Sequence, residues 1–166
     1  MAVLPVVKYP DPLLHEKSKN IEDINDEIKE LVSDMAETMY AVEGVGLAAV
    51  QIGKLLNLFV IDPVYAGGTE KDPVLVFINP KIIKKEGFIK EEEGCLSLPG
   101  VFISLKRSVR TVVRALDLEG NEFEMEGKGL LSKAFQHEFD HLHGTLIIDK
   151  VGKLKRKIAM RKLETD

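Results

Sequence analysis

Gln136-His137-Glu138-Phe139-Asp140-His141-Leu142-His143-Gly144 decides the reading of this chain. The stretch contains His-Glu-x-x-His. Around it Leu130, Leu131, Ala134, Phe135 and Leu142 recur at three- and four-residue steps, the spacing of a helix with one apolar face. Gly144 follows where a left-handed helix cap is wanted. Positions i and i+4 of a helix lie one above the other, so His137 and His141 can each aim an imidazole nitrogen at one cation. Glu138 lies off that line, near enough to meet a water beside the cation without being a ligand. Two imidazoles leave a tetrahedral site short, so a third donor must come from elsewhere in the chain.

Glu91-Glu92-Glu93-Gly94-Cys95-Leu96-Ser97-Leu98-Pro99 holds the one cysteine. A lone cysteine is more often a small buried hydrophobe than a ligand. Here it follows a glycine and is the only plausible soft ligand, the one thiol in a chain whose two histidines await a third partner. One thiolate with two imidazoles is a known catalytic set that leaves a fourth position for water. The other sources are weaker. The extended pattern H-E-x-x-H-x-x-G-x-x-H finds its glycine at Gly144 but puts Ile147 where the last histidine belongs. A glutamate from a later helix would have to be Glu164, two residues from the end of the sequence.

The 166 residues, 45% hydrophobic and 30% charged, suit a single globular catalytic domain over 1–166 with a core of its own. No apolar run approaches a membrane span, and the N-terminus lacks the layout of a secretion signal. A single cysteine suits a reducing compartment, so a cytoplasmic protein is expected, and the chain is read as a monomer. The net charge of −4 is unevenly spread: residues 150–166 carry seven Lys/Arg against Glu164 and Asp166, a net of +5 on a body of −9. Such a tail points to an anionic partner.

Residues 24–42 predict a helix, with Ile24, Ile28, Leu31, Val32, Met35, Met39 and Val42 on one stripe. After it comes Gly44-Val45-Gly46-Leu47-Ala48-Ala49-Val50-Gln51. This reads equally as a glycine stop with a buried small-residue segment or as a loop facing a ligand. Gln51 is the informative residue there, because a buried amide must be hydrogen-bonded. Short β-like runs follow at 57–61, 74–79, 81–92 and 101–105, and 109–117 with 122–127 reads as a hairpin. Strands bracketed by an early and a late helix predict an α+β fold. Small mixed or antiparallel sheets would then surround a central His-Glu-x-x-His helix, with a helix at each end of the chain.

Taken together, the segments at 44–51, 93–97 and 136–141 resemble the bacterial-type peptide deformylases, and in that family's order over nearly the whole chain. The resemblance implies a hydrolase that removes the formyl group from N-formylmethionine at the start of newly made polypeptides. It implies a metal, usually Fe(II), with Zn, Ni or Co able to substitute, held by Cys95, His137 and His141. It gives Glu138 the general acid/base role. The Gln51 side-chain amide and the Leu96 backbone N–H would bind the formyl oxygen. Val45, Gly46 and Leu130 fall in the pocket for the methionine side chain, and Glu93 with Arg107 match a charged pair bracing the cysteine loop.

The chemistry is consistent with this. Formamide hydrolysis needs a nucleophile at neutral pH, and a bound metal lowers water's pKa from 15.7 toward about 7. Three positions depart from the family pattern and bear on substrate preference: Phe102 replaces an arginine that helps hold the peptide, and Glu91 and Lys133 replace apolar residues. The 150–166 tail reads either as an ordinary amphipathic helix with basic residues near its C-terminus or, by the resemblance, as a helix that docks on the ribosome. Two other readings of the chain are a different metal-dependent amidase or peptidase and a binding module with a closed, structural metal site.

Overall fold

The computed structural model describes residues 2–165. The first long helix, α1 (Asp26–Ala41), starts where the Asn25 side chain accepts the Ile28 N–H at 3.1 Å. Asp26 and Glu27 sit in its first turn, favourably near the positive end of the helix dipole. Its buried face is Ile28, Leu31, Val32, Met35 and Met39, the middle of the stripe expected over 24–42; Ile24 precedes the helix, and Val42, just past its last residue, is exposed.

Seven strands follow: β1 (Gly46–Ala48), β2 (Leu58–Ile61), β3 (Leu75–Glu86), β4 (Ile89–Cys95), β5 (Leu98–Arg107), β6 (Arg110–Leu116) and β7 (Glu122–Lys128). The chain then forms α2 (Leu130–Leu142) and α3 (Lys153–Thr165). Five strands make one sheet in the order β1-β2-β3-β6-β7, and β4 pairs with β5 in a second. Every pairing between these strands is antiparallel. The fold is therefore α+β, with antiparallel sheets beside the His-Glu-x-x-His helix, as the pattern of elements predicts.

One boundary differs from the sequence reading. The runs at 74–79 and 81–92 divide differently: β3 passes straight through Pro80, and β4 begins only at Ile89. A proline cannot donate to a sheet ladder, so an interruption is the natural expectation. The strand absorbs it in an irregularity instead. The register with β6 shifts between Ile78 and Lys81, and Asn79 adopts φ 50°.

Strand β2 is buried on both faces, which is why it shows no alternation of polar and apolar residues. Leu58 and Val60 join the cluster under α1, while Phe59 and Ile61 join the one under α2. The sheet is thus the middle layer between the two helices. In the α2 layer the Phe59 and Phe77 rings stack at 4.8 Å, and Phe135 meets Phe77 edge-on at 5.2 Å. A third cluster packs Leu98, Val101, Ile103 and Leu105 of β5 against Ile147, Ile148 and Ala159, which seats α3 on the smaller sheet.

The rotation of α2 is set by polar contacts as well as by Phe135. The buried Gln136 amide accepts the Ser108 N–H at 2.9 Å and donates to the Ser108 carbonyl at 3.0 Å. Thr111 and Ser132 hydroxyls meet at 2.5 Å beside it. With that side fixed, His137 and His141 face β4, and Glu138 faces β1. Gly144 has φ 71°, the left-handed cap read from the sequence, and a Cβ there would sit 2.6 Å from the His15 carbonyl oxygen. No helix among the described residues is long and apolar enough to cross a membrane.

Candidate metal centre

Helix α2 and strand β4 lie side by side and meet in three rungs. Lys133 Nζ donates to Glu91 Oε2 at 2.5 Å, His137 Nδ1 to Glu93 Oε2 at 2.6 Å, and His141 Nε2 lies 3.3 Å from Cys95 Sγ. Four helical residues advance about 6 Å and two strand residues about 6.6 Å, so steps of 133, 137, 141 and of 91, 93, 95 keep pace. The pleat puts Glu91, Glu93 and Cys95 on the same face.

The inner rungs create the donor set. Cys95, His137 and His141 each offer one ligand atom, all within 4.8 Å of one another. The two Nε2 atoms are 3.2 Å apart. Ligands around one tetrahedral ion, at metal–nitrogen and metal–sulfur lengths of about 2.0–2.3 Å, sit roughly 3.3–3.7 Å from each other. The donors are close enough together to hold one metal ion.

Electrostatics favour a cation at the same point. Burial works against charge on Glu93, yet bonds from His137 and Arg107 hold its pKa at about 2. Glu93 is therefore a carboxylate and must accept, which puts the proton on His137 Nδ1 and frees Nε2 as a donor to metal. Burial also opposes a cation on His137, but the neighbouring Cys95 sulfur and Glu93 outweigh it and raise its proton affinity well above the ordinary value. His141 is kept neutral by burial and by His137.

Arg107 braces the carboxylate. It is 5% exposed and donates to Glu93 Oε1 and Oε2 at 3.0 and 2.7 Å, with a third bond to Asp140 Oδ2 at 2.6 Å. Glu138 is 3% exposed, and its Oε1 has no hydrogen-bond partner among the described residues. Burial lifts its pKa to about 7. It is packed against Gly46, where a Cβ would come within 3.0 Å of the Val60 carbonyl and 3.1 Å of Glu138 Oε2. Only glycine lets β1 approach the carboxylate so closely.

Gln51, 1% exposed, has its amide orientation set by two neighbours. Its Oε1 accepts the Ala48 N–H at 3.0 Å, and its Nε2 donates to Ser97 Oγ at 3.2 Å. Ser97 in turn donates to the Val7 carbonyl at 2.7 Å, so it can only accept from Gln51. One Nε2 hydrogen of Gln51 remains for a ligand. Within 44–51, Gly46–Ala48 is a short buried strand, and Gly44, Val45, Gly46 and Gln51 line a cavity.

That cavity is about 420 Å³. It is lined by Val45, Gly46 and Gln51 on one side, by Glu93, Cys95 and Leu96 on another, and by Leu130, His137 and Glu138 of α2. Arg107 and His141 stand behind this lining, in contact with Glu93 and Cys95. Phe102 and Lys133 also line the cavity, whereas Glu91 reaches it only through Lys133. Two supporting residues escape the sequence reading. Asp140, inside the motif itself, shares Arg107 with Glu93, and its place three residues after His137 was the available signal. Ser97 orients Gln51, and nothing local in the sequence points to that.

Comparison with known proteins agrees with this architecture. A family model described as polypeptide deformylase matches residues 3–157. The peptide deformylase of Thermodesulfovibrio yellowstonii is 47% identical over 165 residues, which is 99% of each chain. The crystal structure of a peptide deformylase from Legionella pneumophila superposes with a TM-score of 0.93 at 42% identity, covering 99% of this chain and 95% of that one. An Ehrlichia chaffeensis peptide deformylase in complex with actinonin gives a TM-score of 0.90 at 39% identity, over 99% and 98% of the two chains. With its three-donor cluster beside a buried carboxylate, this chain belongs to the peptide deformylase family, the metal-dependent hydrolases that remove the formyl group from N-formylmethionine.

Proposed function

We propose that Cys95, His137 and His141 hold one metal ion, Fe(II) in the native protein with Zn, Ni or Co as working substitutes, and that Glu138 is the general acid/base. The observation that carries this reading is Glu138 itself: a buried carboxyl with one unpartnered oxygen and a pKa near 7, lining the same cavity as the donors. When bound, the metal supplies Lewis acidity and makes water a usable nucleophile near neutral pH. Glu138 accepts the proton of the attacking water and returns it to the leaving amine, a double role suited to a group poised near the working pH. The remaining Gln51 Nε2 hydrogen and the Leu96 N–H donate to the formyl oxygen as negative charge develops there. Val45, Gly46 and Leu130 receive the methionine side chain, and the Glu93–Arg107 pair holds His137 and the cysteine strand in place.

The substrates are nascent chains, met at the ribosome by a single-domain monomer in the cytoplasm. The exposed Lys153, Lys155, Lys157 and Arg161 of α3 support a ribosomal contact, since α3 turns Ala159 inward and these cations outward. The decisive experiment is anaerobic hydrolysis of a formyl-Met tripeptide with Fe(II) or Ni(II) restored, wild type against Glu138→Ala. Formate from wild type alone, with metal retained in both, is expected. A fully metallated wild type that releases none would end the reading.

A further inference from the structure

The outermost rung between α2 and β4 lies outside the donor cluster, yet its lysine lines the same cavity. Lys133 lines that cavity with its side chain only 14% exposed, between Leu130 and Ala134 of α2. Its ammonium has one partner among the described residues, the half-exposed Glu91 carboxylate. An ammonium carries three N–H donors, so two are left for whatever fills the cavity. Lys133 stands four residues, about 6 Å along the helix, from His137. An unbranched side chain on a substrate whose formyl group sits at the donor cluster spans that distance.

We propose that Lys133, held by Glu91, is a specificity-determining residue that admits first side chains ending in an oxygen acceptor, methionine sulfoxide above all. This rests on the deformylase reading of the cavity. A sulfoxide oxygen buried among Val45, Leu130 and Ala134 alone would lose its water without replacement, which is why an apolar pocket rejects it. The Lys133 ammonium supplies that hydrogen bond. A thioether sulfur is a weak acceptor and a methylene is none, so neither gains from it. The pocket then handles formyl chains whose first methionine has been oxidised, a lesion that turns an apolar side chain polar.

The test compares kcat/KM for formyl-Met, formyl-norleucine and formyl-Met-sulfoxide tripeptides. In wild type, the sulfoxide peptide is expected within about tenfold of the methionine peptide; a deficit beyond about a hundredfold overturns the proposal. In Lys133→Met the ratio of sulfoxide to norleucine should fall about tenfold, and Lys133→Arg, which keeps the donors, should restore it. A ratio unchanged between wild type and Lys133→Met, with norleucine still turned over, overturns the role of Lys133 and leaves the deformylase reading standing. No formate from any of the three peptides overturns that reading, and this inference with it.

Discussion

Arg107 grips Glu93 through two parallel bonds, Nε to Oε1 at 3.0 Å and an Nη to Oε2 at 2.7 Å, with both side chains nearly out of water. The same Glu93 oxygen that takes the shorter bond also takes the proton-bearing Nδ1 of His137. One guanidinium on β5 therefore fixes the tautomer and the orientation of an imidazole of the three-donor cluster on α2, through a carboxylate on β4. A carboxylate behind a ligating histidine fixes its tautomer and raises its basicity.

Removing the cation leaves the largely buried Glu93 without its two-bond partner, while the partly buried Asp140 keeps Lys150 at 3.2 Å. Arg107→Met should lower stability by roughly 3–5 kcal/mol, the usual cost of breaking a buried pair from one side. It should also weaken metal binding by roughly 10–100-fold. Urea titration of the metallated protein and competition with a chelator measure the two losses separately. A change under 1 kcal/mol would mean that the clamp is not structural.

The same carboxylate makes stability fall in acid. Glu93 has its pKa lowered from 4.5 to about 2 in the folded protein. Between these values the unfolded chain binds a proton that the folded one does not, so the contribution is present above pH 4.5 and is lost as pH drops toward 2. Glu93→Gln should flatten the acid limb of the stability curve. An acid limb identical to wild type would locate the sensitivity elsewhere.

Glu138 acts with the opposite sign. Its pKa is raised from 4.5 to about 7 by burial, so its protonated form favours folding. That contribution is present below pH 4.5 and is lost as pH rises through 7, on the order of 3 kcal/mol in all. Metal-free Glu138→Gln, neutral at every pH, should therefore gain on metal-free wild type between pH 4.5 and 7, with little difference below. Thermal unfolding of both apo-proteins across this range checks it.

Under the proposed mechanism, Gln51→Ala removes a donor to the formyl oxygen while leaving Cys95, His137 and His141 in place. We expect kcat to fall by about 10²–10³ with a smaller change in KM. Steady-state kinetics on the formyl-Met tripeptide give the split. A rise confined to KM would assign Gln51 to ground-state binding instead.

Phe135 packs beneath α2 against Phe59 and Phe77 and is fully buried. Phe135→Ala should cost roughly 3–5 kcal/mol by opening a cavity under the helix that carries both histidines. Retained stability would show that the layer collapses into the gap.

The sequence by itself determined what is local. The periodicities of α1 and α2, the left-handed cap at Gly144 and the β6–β7 hairpin are written in spacings of two to four residues, where backbone geometry links neighbours directly. His137 and His141 are legible for the same reason, being one turn apart on one helix. Cys95 could be inferred only because a tetrahedral site needs another donor and the chain has one thiol.

Tertiary structure decided what depends on separations of some forty residues. The three rungs join residues 42 to 46 apart, and only the docking of β4 along α2 brings a 6 Å helical step level with a 6.6 Å strand step. Lys133 opposite Glu91 follows from that docking, and Asp140 beside Arg107 and Ser97 behind Gln51 are likewise contacts between distant segments. The single strand running through Pro80 is likewise a tertiary result, since its missing donor is tolerated where the β6 register slips around it. A side chain's identity carries no record of the partner it meets across a fold; that pairing is set by which surfaces bury together.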